Sequence, residues 1–363
     1  MHGVLALRRR GPSLHIGRLL NKDVRLGRIR HVQDFVSPPR LIFPQRKPPA
    51  SDTEGMSLPR EVLPGRSYLI TRRCAQRQFL MRPDTETNEA FIYCLAEAAQ
   101  RHGIEVLFTV AMSNHHHTGI HDPLGNYPAF LERFHKLFAK CQNALRGRWE
   151  NFWAAEQTSV VRLTSAEDLL DKLVYAITNP VKDHLVERAA QWPGVNSYAA
   201  MRDDKALHAQ RPKHFFRECG VMPEVVSLKL VRPPDFEHLS HEAWAQLLQE
   251  RVRAAETKAS NERKQKRIKL LGKPNILRQK WSASPSTSEP RRNLNPRVAA
   301  KNKWRRIEEL LRNRAFLMAY QDALRAFQGG IHGVVFPDGT YWLKRFASAL
   351  CQGDILPPAL SAA

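Results

Sequence analysis

The 363-residue sequence predicts an α+β fold, with a central antiparallel sheet flanked by helices and a mainly helical, basic C-terminal extension. Between residues 67 and 178, short β-rich runs alternate with longer segments that have helical apolar spacing. Two of these runs are separated only by a Ser-Asn turn, which is typical of an antiparallel hairpin. Beyond residue 240 the helical segments become strongly basic. These three observations predict the fold class.

The elements of the first half follow in order. Residues 67–73 (SYLITRR) predict a strand, and residues 86–102 predict a helix that Gly103 ends. Residues 104–112 (IEVLFTVAM) predict a second strand whose hairpin partner is 115–121. A strongly amphipathic helix is predicted over 127–146.

Further along, Ser165 is the predicted N-cap of a helix over 165–178, which the NPV at 179–181 ends. Residues 225–231 are a candidate strand, and Ser240 caps the next helix. A final helix is predicted over 302–327, and residues 334–343 predict a hairpin around a Pro-Asp-Gly turn.

The predicted organisation has three parts. Residues 1–55 are predicted to be mostly disordered, 56–200 form the α+β domain, and 201–363 form the extension, with a linker at 281–296. Either Met1 or Met56 can be the initiator. The net charge of +22 comes from 1–55 (+7) and 251–314 (+15). Basic charge concentrated in flanking segments is typical of an arm that follows phosphates, while the alternative is a solvated, self-repelling tail.

Composition narrows the class of protein. No apolar run reaches the roughly 18 residues of a membrane helix, and no secretory signal is recognised, which predicts a soluble, cytoplasmic protein. The five cysteines are widely spaced without a CxxC pair, which argues against a disulfide framework or a thiolate zinc site.

Residues 111–122 (AMSNHHHTGIHD) contain three consecutive histidines. Because alternate side chains of a strand share a face, His115 and His117 are predicted to point one way and His116 the other. Two imidazoles roughly 7 Å apart along one face can bind the same divalent ion. A structural or solvent-facing histidine cluster is the alternative.

The chain resembles the single-tyrosine HUH transposases, in particular the REP-associated tyrosine transposases and those of the smallest insertion sequences. The resemblance runs through GRSYLITRR (65–73), VAMSNHHHTGI (110–120), GRWENFW (147–153), YAITNPV (175–181) and WPGVNS (192–197). It implies that His115 and His117 hold Mg²⁺ or Mn²⁺ in an HUH motif, with His116 in place of the usual hydrophobic residue. It also implies binding of single-stranded or hairpin DNA, association with the nucleoid, and a fold that admits a homodimer.

In these relatives a tyrosine on a following helix attacks the scissile phosphate. Anchored on Asn143, Gly147–Arg148 and Trp153, the resemblance puts this position at Phe138, so the nucleophile is expected to be lost. Gln142 and Asn143 are then the candidates for a further side-chain ligand of the metal. The other nucleophiles considered are Tyr127, Tyr175 and Cys141, of which Tyr175 and Cys141 are expected in the core.

Two hypotheses lead: a transposase-like enzyme that cleaves single-stranded DNA with a metal, and a DNA-binding protein of the same lineage without cleavage. A metal-dependent nuclease that uses activated water is a third. In Arg263–Lys269 (RKQKRIK) the charges are predicted to cover most faces of a helix. Trp304 is a candidate for stacking on an unpaired base, with core packing as the alternative, and Trp149, Phe152 and Trp153 are expected in the core. The predicted DNA contacts are Arg263, Lys264, Lys266, Arg267, Lys269, Arg291, Arg292, Trp304, Arg305 and Arg306.

Overall fold

The computed structural model describes residues 59–287 and 296–355. Contacts divide the chain into Met1–Gly55 and Met56–Ala363, and every described residue belongs to the second unit. The predicted disorder of residues 1–55, the alternative start codons, and the predicted DNA contacts Arg291 and Arg292 lie outside the described residues.

The elements before residue 203 form the sheet and most of its covering helices. They are β1 Arg66–Arg73, α1 Thr85–His102, β2 Glu105–Ala111, β3 His115–Asp122, α2 Tyr127–Arg146, β4 Ser159–Leu163, α3 Ala166–Ile177, α4 Asn179–Lys182 and α5 Tyr198–Arg202. The predicted helices and strands of this part are present, with ends shifted by one or two residues at most. β4 was not predicted.

The second part of the chain is mainly helical. Its elements are β5 Leu207–Gln210, β6 Val225–Leu228, α6 His241–Gln265, α7 Lys273–Arg278, β7 Val298–Ala299, α8 Lys303–Gln328, β8 Val335–Phe336, α9 Trp342–Ala347, β9 Leu350–Cys351 and α10 Gln352–Ile355. Ser240 caps α6 as predicted, with its side chain accepting a hydrogen bond from the Ala243 backbone N–H. None of the helices described over 59–287 and 296–355 has the length and apolar character needed to cross a membrane.

The central sheet has five strands in the order β2-β3-β1-β4-β7. Its first four strands are antiparallel, as predicted, whereas β7 joins the edge of β4 in parallel, so that the sheet is mixed. The fold is therefore α+β, with a mixed sheet flanked by helices. Because β7 has only two residues, its pairing left no periodic signal in the sequence.

Alternating residues of the strands fill two separate cores on the two sides of this sheet. Ile70 and Ile120 face α1 and α2, where Phe134 lies in the same cluster. Leu69 and Phe108 belong to the other cluster, which also contains buried residues of α3, α4 and α6. The sheet is thus a middle layer between two helical layers.

The predicted hairpin over 334–343 is wrong. The turn at Pro337 is closed by the Thr340 hydroxyl, which donates to the Pro337 carbonyl at 2.8 Å, and the chain then enters α9. β8 pairs in parallel with β9, which follows α9. A Pro-Asp-Gly turn is compatible with both outcomes, and the residues after it, YWLKRFA, adopt a short helix.

The predicted helical course of residues 263–269 is also wrong beyond Gln265. Arg267 has a left-handed φ of 53°. The N–H of Arg267 bonds to the Lys264 carbonyl, and the N–H of Ile268 bonds to the Arg263 carbonyl. This paired pattern is the Schellman motif that ends a helix, so the last basic residues of this segment lie in a loop.

Candidate metal centre and nucleophile

His115 and His117 lie at the start of β3, on the side of the sheet that faces α3 and α4. Their ring centroids are 4.9 Å apart. In the register with β1, His117 is opposite Thr71, whose hydroxyl lies 2.8 Å from His117 Nδ1. The two rings share one face, as the alternation predicts.

The Nε2 atoms of the two rings converge on one point. The amide nitrogen of Asn179, at the start of α4, lies 2.9 Å from His117 Nε2 and 3.3 Å from His115 Nε2. On the far side of its ring, His115 Nδ1 lies 2.8 Å from Asn114 Oδ1, which can only accept, so Nδ1 carries the proton. His115 Nε2 therefore holds a lone pair that points at the Asn179 amide.

The donor set fits a divalent metal ion. Burial, followed by the charge of His115, holds the pKa of His117 well below its usual range, so that the ring is neutral as a ligand must be. Each Nδ1 is held by a neighbouring oxygen, which is the usual outer support of a metal-binding histidine. Because either end of a carboxamide can be turned inward, Asn179 can present its Oδ1 to the ion. Over 59–287 and 296–355 no group of three or more His, Cys, Asp or Glu side chains forms a metal site, so water or substrate oxygens would complete the coordination.

Tyr175 lies beside this pair and was not predicted to belong to the site. Its ring centroid is 5.7 Å from that of His117, and 44% of its surface is exposed, so the expected core packing is wrong. Tyr175 and Asn179 are four residues apart, so that both side chains lie on one helical face. Pro180 lacks an N–H and stands at the break between α3 and α4, which leaves Asn179 at the start of a new turn.

Phe138, Gln142 and Asn143 do not reach the histidine pair. The Phe138 ring is fully buried on the opposite side of the sheet, 5.3 Å from Phe91 and 5.5 Å from Phe152. The expectation that α2 faces His115 and His117 is therefore wrong. Phe138 is a core residue at a position where a tyrosine would not reach His115 or His117.

Gln142 and Asn143 are engaged elsewhere. Gln142 is fully buried, and its Oε1 accepts a hydrogen bond from the Thr87 hydroxyl of α1 at 3.3 Å. Asn143 donates to the Glu150 carbonyl at 2.9 Å and so holds the loop after α2. Neither residue is placed to bind an ion between His115 and His117.

His116 faces the core, where it forms a pair with His135 of α2. The two Nε2 atoms are 3.0 Å apart, and Arg72 Nη1, which can only donate, lies 3.5 Å from His135 Nδ1. His135 consequently donates from Nε2 to His116, and His116 donates from Nδ1 to the Thr118 hydroxyl at 3.0 Å. Burial lowers the pKa of His116 to about 3 and that of His135 well below its usual range, so both rings are neutral.

The other candidate nucleophiles are buried. The Tyr127 ring packs 4.6 Å from that of Tyr68, and burial raises the pKa of Tyr127 to about 12, which disfavours the phenolate. Cys141 is fully buried in the α1/α2 core, as predicted, with its sulfur 3.2 Å from His214 Nε2. Tyr175 is thus the candidate that combines exposure with proximity to the histidine pair.

The aromatic residues after α2 divide between core and surface. Phe152 and Trp153 are buried as predicted, and the Trp153 indole N–H donates to the His135 carbonyl at 2.9 Å. Trp149 is 96% exposed, so its predicted core position is wrong. Trp304 is 76% exposed, which also excludes the core alternative for this residue.

The predicted DNA contacts that the structure describes lie on the surface to differing degrees. Arg263 is mostly covered and forms an ion pair with Glu187 at 3.5 Å, and Arg305 donates to the Thr164 carbonyl at 3.0 Å. The remaining cations are exposed. They are Lys264, Lys266, Arg267, Lys269 and Arg306.

Comparisons with known proteins return similarities of fold at low identity. A solved REP-associated tyrosine transposase bound to a REP hairpin is 17% identical with a TM-score of 0.35, and the match covers 46% of this chain and 99% of that one. A candidate transposase from Deinococcus radiodurans R1 is 16% identical with a TM-score of 0.24, covering 34% of this chain and 97% of that one. No family profile and no curated protein matches the chain. At these TM-scores, neither similarity indicates which residues of this chain are functional.

Proposed function

We propose that this protein cleaves and rejoins single-stranded DNA, with Tyr175 as the nucleophile and with His115, His117 and Asn179 as ligands of Mg²⁺ or Mn²⁺. One observation carries the proposal: an exposed tyrosine lies 5.7 Å, ring to ring, from His117, one helical turn from an asparagine that touches both imidazoles. This arrangement replaces the interpretation in which the nucleophile was lost at Phe138.

The chemistry follows from the groups that the fold brings together. The Tyr175 hydroxyl loses its proton to solvent as its oxygen attacks the scissile phosphorus and forms a P–O bond. The bond from phosphorus to the 3′ oxygen of the preceding nucleotide breaks, and that oxygen takes up a proton from solvent. The DNA then remains attached to the protein as a 5′-phosphotyrosine, and attack by a 3′ hydroxyl on this bond would rejoin a strand. A bound divalent ion would supply positive charge at the non-bridging phosphate oxygens.

The substrate class rests on access and charge. Tyr175 is partly exposed, and an unpaired strand can adapt its backbone to the surface around it without the deformation energy that a duplex requires. Exposed cations at the end of α6 and near Trp304 would contact phosphates of the flanking strand or hairpin. We therefore propose single-stranded or hairpin DNA as the partner.

The test is a covalent-adduct assay with the full chain, Mn²⁺ and a pool of hairpin oligonucleotides that have randomised single-stranded flanks and a 3′ label. Wild-type protein is expected to become labelled, whereas Tyr175→Phe and His117→Ala are expected to remain unlabelled. Tyr127→Phe is the matched control, because it removes a buried hydroxyl and should retain the adduct.

The other hypotheses predict different outcomes in the same assay. Labelled adduct with Tyr175→Phe would overturn the assignment of the nucleophile. Cleavage by wild-type protein without an adduct would indicate a nuclease that uses water. Binding without cleavage or adduct would indicate a DNA-binding protein that has lost the reaction.

A further inference from the structure

Two lysines flank the ring of Tyr175. The Lys182 ammonium, at the end of α4, lies 4.4 Å from the ring centroid, and that of Lys172, on α3, lies 5.8 Å from it. Lys172 precedes the tyrosine by three residues on α3, and Lys182 approaches the same ring from the end of α4, beyond the break between the two helices. The tyrosine is thus bracketed by positive charge on the face that carries Asn179.

The charge around Lys182 is arranged to receive an anion. Partial burial, followed by the positive charges of Lys258 on α6 and Lys172, lowers the pKa of Lys182, while Asp183 and Glu262 act in the opposite direction. A phosphate that approached Tyr175 would relieve the repulsion among these lysines.

We propose that Lys182 is a catalytic cation of the cleavage step, placed to balance the negative charge that develops on the attacked phosphate. This inference rests on the proposed function. Its reason is electrostatic: the Lys182 ammonium lies 4.4 Å from the ring centroid of the attacking tyrosine, so that a phosphate attacked by Tyr175 would lie near this positive charge. The charge opposes the extra negative charge of the five-coordinate phosphorus.

The Lys182 ammonium lies closer to the Tyr175 ring than the Lys172 ammonium does. Substitution of each lysine therefore distinguishes a local role in cleavage from a general attraction of DNA. Lys182→Met is expected to slow single-turnover adduct formation by about 100-fold, as does removal of one donor that stabilises a transition-state charge. The dissociation constant for the same oligonucleotide should change less than about 3-fold, because binding draws on many phosphate contacts. Lys172→Met should slow the reaction less, and Lys182→Arg should restore most of the rate.

The experiment measures the single-turnover adduct rate together with the dissociation constant, using an oligonucleotide that gives an adduct with wild-type protein. Lys229→Met is the matched control, because this exposed lysine follows β6, in the layer that packs on α1.

An unchanged rate in Lys182→Met, or a rate loss matched by an equal loss of affinity, would overturn the role of Lys182 while leaving the proposed function intact. Absence of any adduct with wild-type protein would instead overturn the proposed function and this inference together.

Discussion

The buried imidazoles predict a steep loss of stability in mild acid. His116, His117 and His135 are almost fully buried, and the pKa of each is lowered, to about 3 for His116. A histidine with a depressed folded pKa takes up its proton only on unfolding. Its contribution to stability is therefore complete above the unfolded pKa, near 6.5, and is lost as the pH falls from there toward the folded pKa.

The magnitude follows from the proton count. Between pH 7.5 and 5.5, each such histidine lowers the free energy of unfolding by about 1.4 kcal/mol, so the three together remove about 4 kcal/mol. This is a large part of the roughly 5–15 kcal/mol that stabilises a typical domain. Asp84 and Glu97 do not contribute to this loss, because the pKa values of both carboxyl groups are lowered and their protonation would begin only at a pH below this range.

The assay is urea unfolding at several pH values between 7.5 and 5.5, with the double variant H116L/H135L as the comparison. Removal of both members of the pair replaces two polar groups together, so that neither is left buried without a partner. The variant should lose about 2.7 kcal/mol less than the wild-type protein over this pH range, because two of the three buried histidines have been removed. His102 and His214, whose pKa values are also lowered, contribute to both proteins and cancel in the difference. Equal losses in the two proteins would refute the view that the His116–His135 pair is neutral in the folded state.

Two further outcomes are expected. Phe138→Tyr should lower the free energy of unfolding by about 1–3 kcal/mol, because the new hydroxyl would be buried among Phe91, Phe134 and Phe152 without a partner. Urea denaturation measures this change. DNA cleavage by the double variant F138Y/Y175F would contradict the placement of Phe138 away from the site. The logarithm of the affinity for hairpin DNA should fall linearly with the logarithm of the salt concentration. The triple variant K264Q/K266Q/K269Q should reduce the slope by about 2, because each phosphate contact contributes about 0.7. An unchanged slope would show that these lysines do not contact phosphates.

The sequence was sufficient for the strands and for the orientation of the three histidines, because both depend on local periodicity. The period of two puts His115 and His117 together whatever the rest of the chain does. The helices and strands that were predicted over 66–178 agree with the structure to within one or two residues for the same reason, whereas β4 and α4 were not predicted.

The helix that faces the histidine pair could not be predicted in this way. Helices α2 and α3 both have an apolar stripe, and a stripe shows that a helix packs on the sheet but not which side of the sheet it covers. The side depends on how the chain crosses from one strand to the next. Placing α2 at the histidine pair made Phe138 the expected position of a lost nucleophile and assigned Tyr175 to the core. The four-residue spacing of Tyr175 and Asn179, followed by Pro180, was the local signal that could have corrected this.

The two-residue strand β7 has a consequence for any attempt to isolate the first 200 residues. It covers part of the outer edge of β4, and the Arg162 N–H donates to the Arg297 carbonyl beside it. A fragment that stops at residue 200 would present the backbone N–H and C=O groups of β4 to solvent, where they could pair with the same strand of another molecule. Self-association of such a fragment would then reflect its cut edge and would carry no information about how whole chains assemble.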